Sequence, residues 1–122
     1  MQRAAIVNDD GANVAVEFAL LLPALVMLVV GTLYVGLVMY SISGLHSAVE
    51  AAARCYSVNS NQCGSAAAAE TFAENHYYGV SAPAFSAAIA ACGHQVSASM
   101  NMVLSAGITS WSIPVSATAC YP

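Results

Sequence analysis

The sequence predicts an α+β protein in which a long N-terminal helix crosses a membrane. The extramembrane half of that helix packs on a small antiparallel β-sheet, and a second short helix accompanies it. Three observations carry the prediction. Residues 18–39 form an apolar run without a single charge, a helical stripe of apolar residues continues past it, and two stretches near the C-terminus alternate apolar with polar residues. The expected organisation is a leader over 1–12, a helix over 13–56 that is transmembrane at about 18–39, and a disulfide-braced α+β domain over 57–122.

The membrane segment follows from composition and length. Of the 122 residues, 59% are hydrophobic and 7% charged, and both basic residues are arginines. A soluble domain carries about 25% charged residues, so lipid is one of this protein's solvents. A formal net charge of −4 excludes the basic surface that nucleic acid requires. The 22 residues of 18–39, at about 1.5 Å per residue, match a hydrocarbon core roughly 30 Å thick. A cleaved secretory signal would need a basic start and a shorter apolar stretch, of about 7–15 residues; here Glu17 marks the start. Arg54 sits in AAARC where a lipoprotein site needs a small residue. An anchor in the bacterial inner membrane is expected, with Arg3 weakly favouring a cytoplasmic N-terminus. All four cysteines lie beyond the apolar run, and disulfides need an oxidising compartment, so the C-terminal part is expected in the periplasm.

Beyond the membrane, Val38, Ile42, Leu45, Val49, Ala52 and Tyr56 recur in alternating steps of four and three, a single stripe down a helix. Glu50 and Arg54 stand i,i+4 largely off that stripe, worth a few tenths of a kcal/mol. SVNSNQ (57–62) reads as a polar loop. Ser65 then caps a second helix over 66–78, which Gly79 ends.

Two strands follow from alternation. Val96, Ala98, Met100, Met102 and Leu104 form one apolar row; Trp111, Ile113, Val115, Ala117 and Ala119 form the other. Pairing Leu104 with Trp111 across the 105–110 loop brings Met102 to Ile113, Met100 to Val115, Ala98 to Ala117 and Val96 to Ala119. A one-residue slip would set apolar against polar along the whole ladder. The register also places Cys120 opposite Gln95, close to Cys92. Of three possible pairings it therefore favours Cys55–Cys63 and Cys92–Cys120. Pro114 marks an edge strand, and residues 85–91 suggest a third strand.

Catalytic and metal chemistry find no foothold in this pattern, so the chain reads as neither enzyme nor cofactor protein. His46, His76 and His94 are scattered, and the expectation for each is a solvated or satisfied side chain rather than a metal ligand. Glu70 and Glu74 are i,i+4 like charges, expected on a solvated face. Glu17 is the informative residue. A carboxylate at the threshold of an apolar helix costs up to about 3 kcal/mol if drawn to mid-bilayer. It is either a functional group awaiting a partner or an interfacial residue held by the helix dipole. Pro23, one and a half turns on, implies a kink.

GANVAVEFALLLPALVMLVVG (11–31) resembles the N-terminal signature of TadE-like pseudopilins, the minor-pilin relatives of tight-adherence (Flp-type) pili. The resemblance extends through ARC at 53–55, CG at 63–64, CGHQVSAS at 92–99 and the terminal ATACYP. It implies a pilin-like fold and a structural role. It also implies processing by a prepilin peptidase in the region Gly11, Ala12 and Asn13, and pairing of the new N-terminus with Glu17, which Phe18 follows. The pattern sets the glutamate fifth in the mature chain. Cleavage after Ala12 gives that spacing, whereas cleavage after Gly11 makes Glu17 sixth. The implied partners are other pilins or pseudopilins, the prepilin peptidase and an inner-membrane assembly platform. The alternative is an uncleaved membrane-anchored module that presents its periplasmic domain to an envelope partner. A bulk filament subunit fits less well, because major tight-adherence pilins are little more than the helix.

Overall fold

The computed structural model describes residues 10–105 and 107–122, with side chains from Asn13 onward. Most of the expected leader, residues 1–9, lies outside the described residues. The fold is α+β; among the described residues three helices are followed by three strands, α1 (Asp10–Val58), α2 (Ser60–Cys63), α3 (Ala66–His76), β1 (Ala84–Ala90), β2 (Gly93–Ser105) and β3 (Ser110–Tyr121). The chain divides into two compact units, Met1–Val35 and Gly36–Pro122.

The first unit is helical throughout its described residues. From residue 13 to 35 every side chain is exposed except that of Tyr34, which is half-buried. Leucine, valine and methionine lie open on all sides, with Leu20 at 76% and Met27 at 79% exposure. A helix apolar all round, with these side chains exposed among the described residues, has the character of a membrane-spanning segment. The segment Asn13–Val58 is long and apolar enough to cross a membrane. Pro23 lies inside α1; its ring nitrogen has no hydrogen to give the Ala19 carbonyl, yet the helix continues through it.

In the second unit α1 changes character. Its residues Leu45, Val49 and Ala52 are fully buried, and Val38 and Tyr56 pack half-buried against them. The buried band is wider than the expected stripe, because Gly44, Ala48 and Ala53 are covered as well. The reason is a core with two walls. Leu45, Val49, Ala52 and Ala53 share one apolar cluster with Ala69 and Ala73 of α3 and with Val96, Ala98, Met100, Met102 and Ala117 of the sheet. At Gly44 an added Cβ would strike the carbonyl oxygen of Tyr78.

Ser41 is a polar residue in this core, fully buried. Its hydroxyl donates to the Leu37 carbonyl (3.0 Å) and accepts the Val80 N–H (3.3 Å). Both of its bonding directions are thus used, which removes the penalty for burying it.

The connections differ from the sequence reading in two places. Residues 57–62 are not a loop: α1 runs on to Val58, and Asn59 caps the short α2 by accepting the Gln62 N–H (3.2 Å). The second helix starts as expected, with the Ser65 hydroxyl accepting the Ala68 N–H (3.2 Å). It ends at His76, before Gly79, because Tyr77 turns to extended backbone. That turn sends the Tyr77 hydroxyl to the Met100 sulfur (3.6 Å) and sets its ring edge-on to Phe85. Tertiary packing of one tyrosine overrides local helix propensity.

The sheet is antiparallel in the order β1-β2-β3. Leu104 pairs with Trp111, Met102 with Ile113, Met100 with Val115, Ala98 with Ala117 and Val96 with Ala119, the register that alternation predicts. Pro114 accordingly lies on an edge strand. β1 begins one residue earlier than expected, at Ala84. Between β1 and β2, Gly93 takes a φ of 122° that side chains rarely adopt, and a Cβ there would meet the Tyr121 carbonyl.

Cys55 bonds to Cys63 with Cα atoms 5.7 Å apart, and Cys92 bonds to Cys120 at 6.2 Å. The first ties the end of α1 to α2; the second ties the start of the hairpin to its last strand.

Two measurements on the detergent-solubilised full chain check this packing. Gly44→Ala should lower unfolding stability by about 1–3 kcal/mol, the usual overpacking cost; an unchanged melting temperature would mean that α1 and the Tyr78 segment are not in contact. The disulfides close loops with separations of 8 and 28 residues. Cys92→Ser with Cys120→Ser should therefore cost about 3.5 kcal/mol, against about 2.5 kcal/mol for Cys55→Ser with Cys63→Ser. The reverse ranking would contradict the chain-entropy account.

Candidate functional site

The first turns of α1 hold the residues singled out by the N-terminal motif. Gly11, Ala12 and Asn13 lie in helical backbone, and Glu17 stands four residues after Asn13. Residues four apart share a helix face, about 6 Å along the axis. Glu17 is exposed, and so are its apolar neighbours Val14, Val16 and Phe18, at 60–65%. It is the only charged residue between Asp10 and Glu50. Apart from Asn13 one turn away, the neighbours of this carboxylate are exposed apolar side chains. A cation delivered from outside the chain, or water at the bilayer edge, must compensate it.

The other ionisable residues fall elsewhere and do different things. Glu50 and Arg54 are exposed on α1 and line a shallow groove with Ser47, Thr118 and Tyr121. Glu74 is exposed, as expected. Glu70 is not: it is half-buried, and its carboxylate accepts the Ala87 N–H of β1 at 2.9 Å. An edge strand with free N–H groups invites pairing with another chain, and Glu70 occupies one such donor. Spacing to Glu74 concealed this role, since nothing local announces that a strand edge will arrive beside α3.

The histidines are likewise resolved individually. His46 is exposed, and His76 is exposed with Nδ1 2.9 Å from the Phe72 carbonyl. His94 departs from the expectation of a solvated or satisfied ring. It packs edge-on against Tyr56, and its buried Nδ1 has no hydrogen-bond partner among the described residues. Among the described residues, no group of three or more His, Cys, Asp or Glu side chains is placed to hold a metal ion.

Comparison with known proteins agrees with the motif. Residues 13–54 match the family model described as TadE-like protein. The matched stretch contains Glu17, Phe18 and Pro23 together with the whole apolar run and the buried stripe as far as Arg54. No curated protein and no solved structure was found to match the chain.

Proposed function

With residues 13–54 matched to the TadE-like family, we propose that this chain is a structural subunit, a minor pilin or pseudopilin in the biogenesis of a tight-adherence pilus. The observation that carries the reading is Glu17: one exposed carboxylate on an apolar helix, one turn from Asn13. A prepilin peptidase cutting after Gly11 or Ala12 would create an ammonium group there. When the helix leaves the bilayer for a bundle of neighbouring pilin helices, that ammonium and the Glu17 of an adjacent subunit neutralise each other. Neither charge is then buried alone.

Such a pair acts as a registry device. Its net stabilisation is small, because both ions lose water, but removing one partner costs about 3–5 kcal/mol. Only subunits in the correct stagger bring the two charges together. Pro23 has a supporting role in this picture, as a softened turn that lets the helix adapt between lipid and fibre. The periplasmic placement of the C-terminal unit is supported by its two disulfides. The partners are other pilins or pseudopilins, the peptidase and an inner-membrane assembly platform, and the chain's contribution is structural rather than catalytic.

Glu17→Ala should leave membrane insertion intact while reducing incorporation into filaments by roughly a hundredfold, the equivalent of about 3 kcal/mol. Quantification of the subunit in sheared filaments against the membrane fraction checks this. Unchanged incorporation would remove the charge-pairing role.

A further inference from the structure

The apolar rows of the β2–β3 hairpin continue past the core that they serve. Val96, Ala98, Met100 and Met102 are buried, but on the partner strand cover is lost step by step. Ala117 is 3% exposed, Val115 half-buried, Ile113 43% exposed and Trp111 58%. The pattern stays apolar where nothing in the second unit covers it. Around the tip, Val103 is also exposed on the opposite face and Ile108 fully so. No Asp, Glu, Lys or Arg occurs anywhere after Glu74, so this hairpin lacks the charges that normally keep an exposed strand end in water.

The direction of the hairpin is fixed by contacts within the second unit. At one end, His94 packs on Tyr56, and Tyr121 and Arg54 line the same groove. Further along, Met100 meets the Tyr77 hydroxyl, which lies against Gly79 beside the Ser41 hydroxyl. Moving from Cys120 toward Trp111 therefore runs from residues 54–56 of α1 toward Ser41, and then beyond it. The apolar run of α1 ends at Met39, two residues from Ser41. Trp111 lies four residues past Val115, the partner of Met100, or about 13 Å along the strand. The tip thus lies past Ser41 on the side of the second unit that carries Met39 and Tyr40, where the apolar run of α1 ends. The exposed pair Tyr40 and Tyr78, ring centres 5.1 Å apart, stands at the same level, as interfacial aromatics do.

We propose that the hairpin tip is a second membrane contact, seating Leu104, Ile108, Trp111 and Ile113 at the headgroup–acyl boundary of the leaflet from which α1 emerges. The inference rests on membrane anchoring by α1 but not on a role in pili. Its occupant is lipid because the patch is apolar, uncharged, tipped by a tryptophan and on the side of the second unit where the apolar run of α1 ends.

Trp111 is the sole tryptophan, so its fluorescence reports the tip directly. The full chain is reconstituted in phosphatidylcholine–phosphatidylglycerol nanodiscs, with bromines at shallow or deep acyl positions. Blue-shifted emission is expected, with several-fold quenching by shallow bromines, weaker quenching by deep ones and little by aqueous iodide. Ile108→Asp should shift the emission toward that of water and reduce bromine quenching while the chain still co-elutes with the disc. A Trp111→Phe, Tyr121→Trp chain, reporting the opposite end, should show iodide quenching and none by bromine. Iodide-quenched Trp111 untouched by bromolipid overturns the proposal. Blue-shifted emission without bromine quenching also overturns it, since protein would then cover the tip. A chain that fails to co-elute with discs overturns the anchoring reading, and this inference with it.

Discussion

One helix has to satisfy two solvents, and the rest of the molecule is arranged around that demand. Over 18–39, α1 is apolar around its whole circumference and almost uncovered by its own chain. From Ser41 onward it becomes a wall of a core, burying Gly44, Leu45, Ala48, Val49, Ala52 and Ala53 while Ser43, His46, Ser47, Glu50 and Arg54 stay exposed. The transition occurs within a turn of Met39. Such a helix is unstable alone in water, and its outer half needs a sheet and a second helix against it. The small second unit supplies both, with two disulfides compensating for the modest apolar area that a domain of this size can bury.

The same demand makes Glu17 intelligible. In a helix suited to lipid, a carboxylate is compensated either by water at the bilayer edge or by a partner of opposite charge. Under the proposed processing, removal of the leader would create such a partner one turn from Glu17. Processing would then switch the subunit from one whose charge sits at the bilayer edge to one that can dock in register. At the tip of the β2–β3 hairpin, exposed Trp111, Ile113 and Ile108 extend the apolar theme.

Local pattern revealed what local forces decide. The β2–β3 register was legible because side-chain alternation has a period of two and any slip mismatches five pairs at once; the Cys92–Cys120 pairing followed from that geometry. The helical stripe was legible for the same reason, although its width was underestimated, since alternation between steps of three and four describes contact with one wall and α3 adds another. Glu70 escaped notice because its acceptor role depends on β1 arriving from 17 residues away. The early end of α3 escaped because the packing of Tyr77 on Met100 outweighs helix propensity. At the N-terminus, the motif identified Glu17, Phe18 and Pro23 from a resemblance, and the family match covers these residues.

The mass of the intact chain isolated from cell membranes tests the pilin reading most directly. A mature form beginning at Ala12 or Asn13, with two cysteine pairs oxidised, is the predicted result. A chain retaining residues from Met1 in cells with an active prepilin peptidase would contradict it. Such a chain would be an uncleaved anchor, with no new ammonium group for Glu17 to meet.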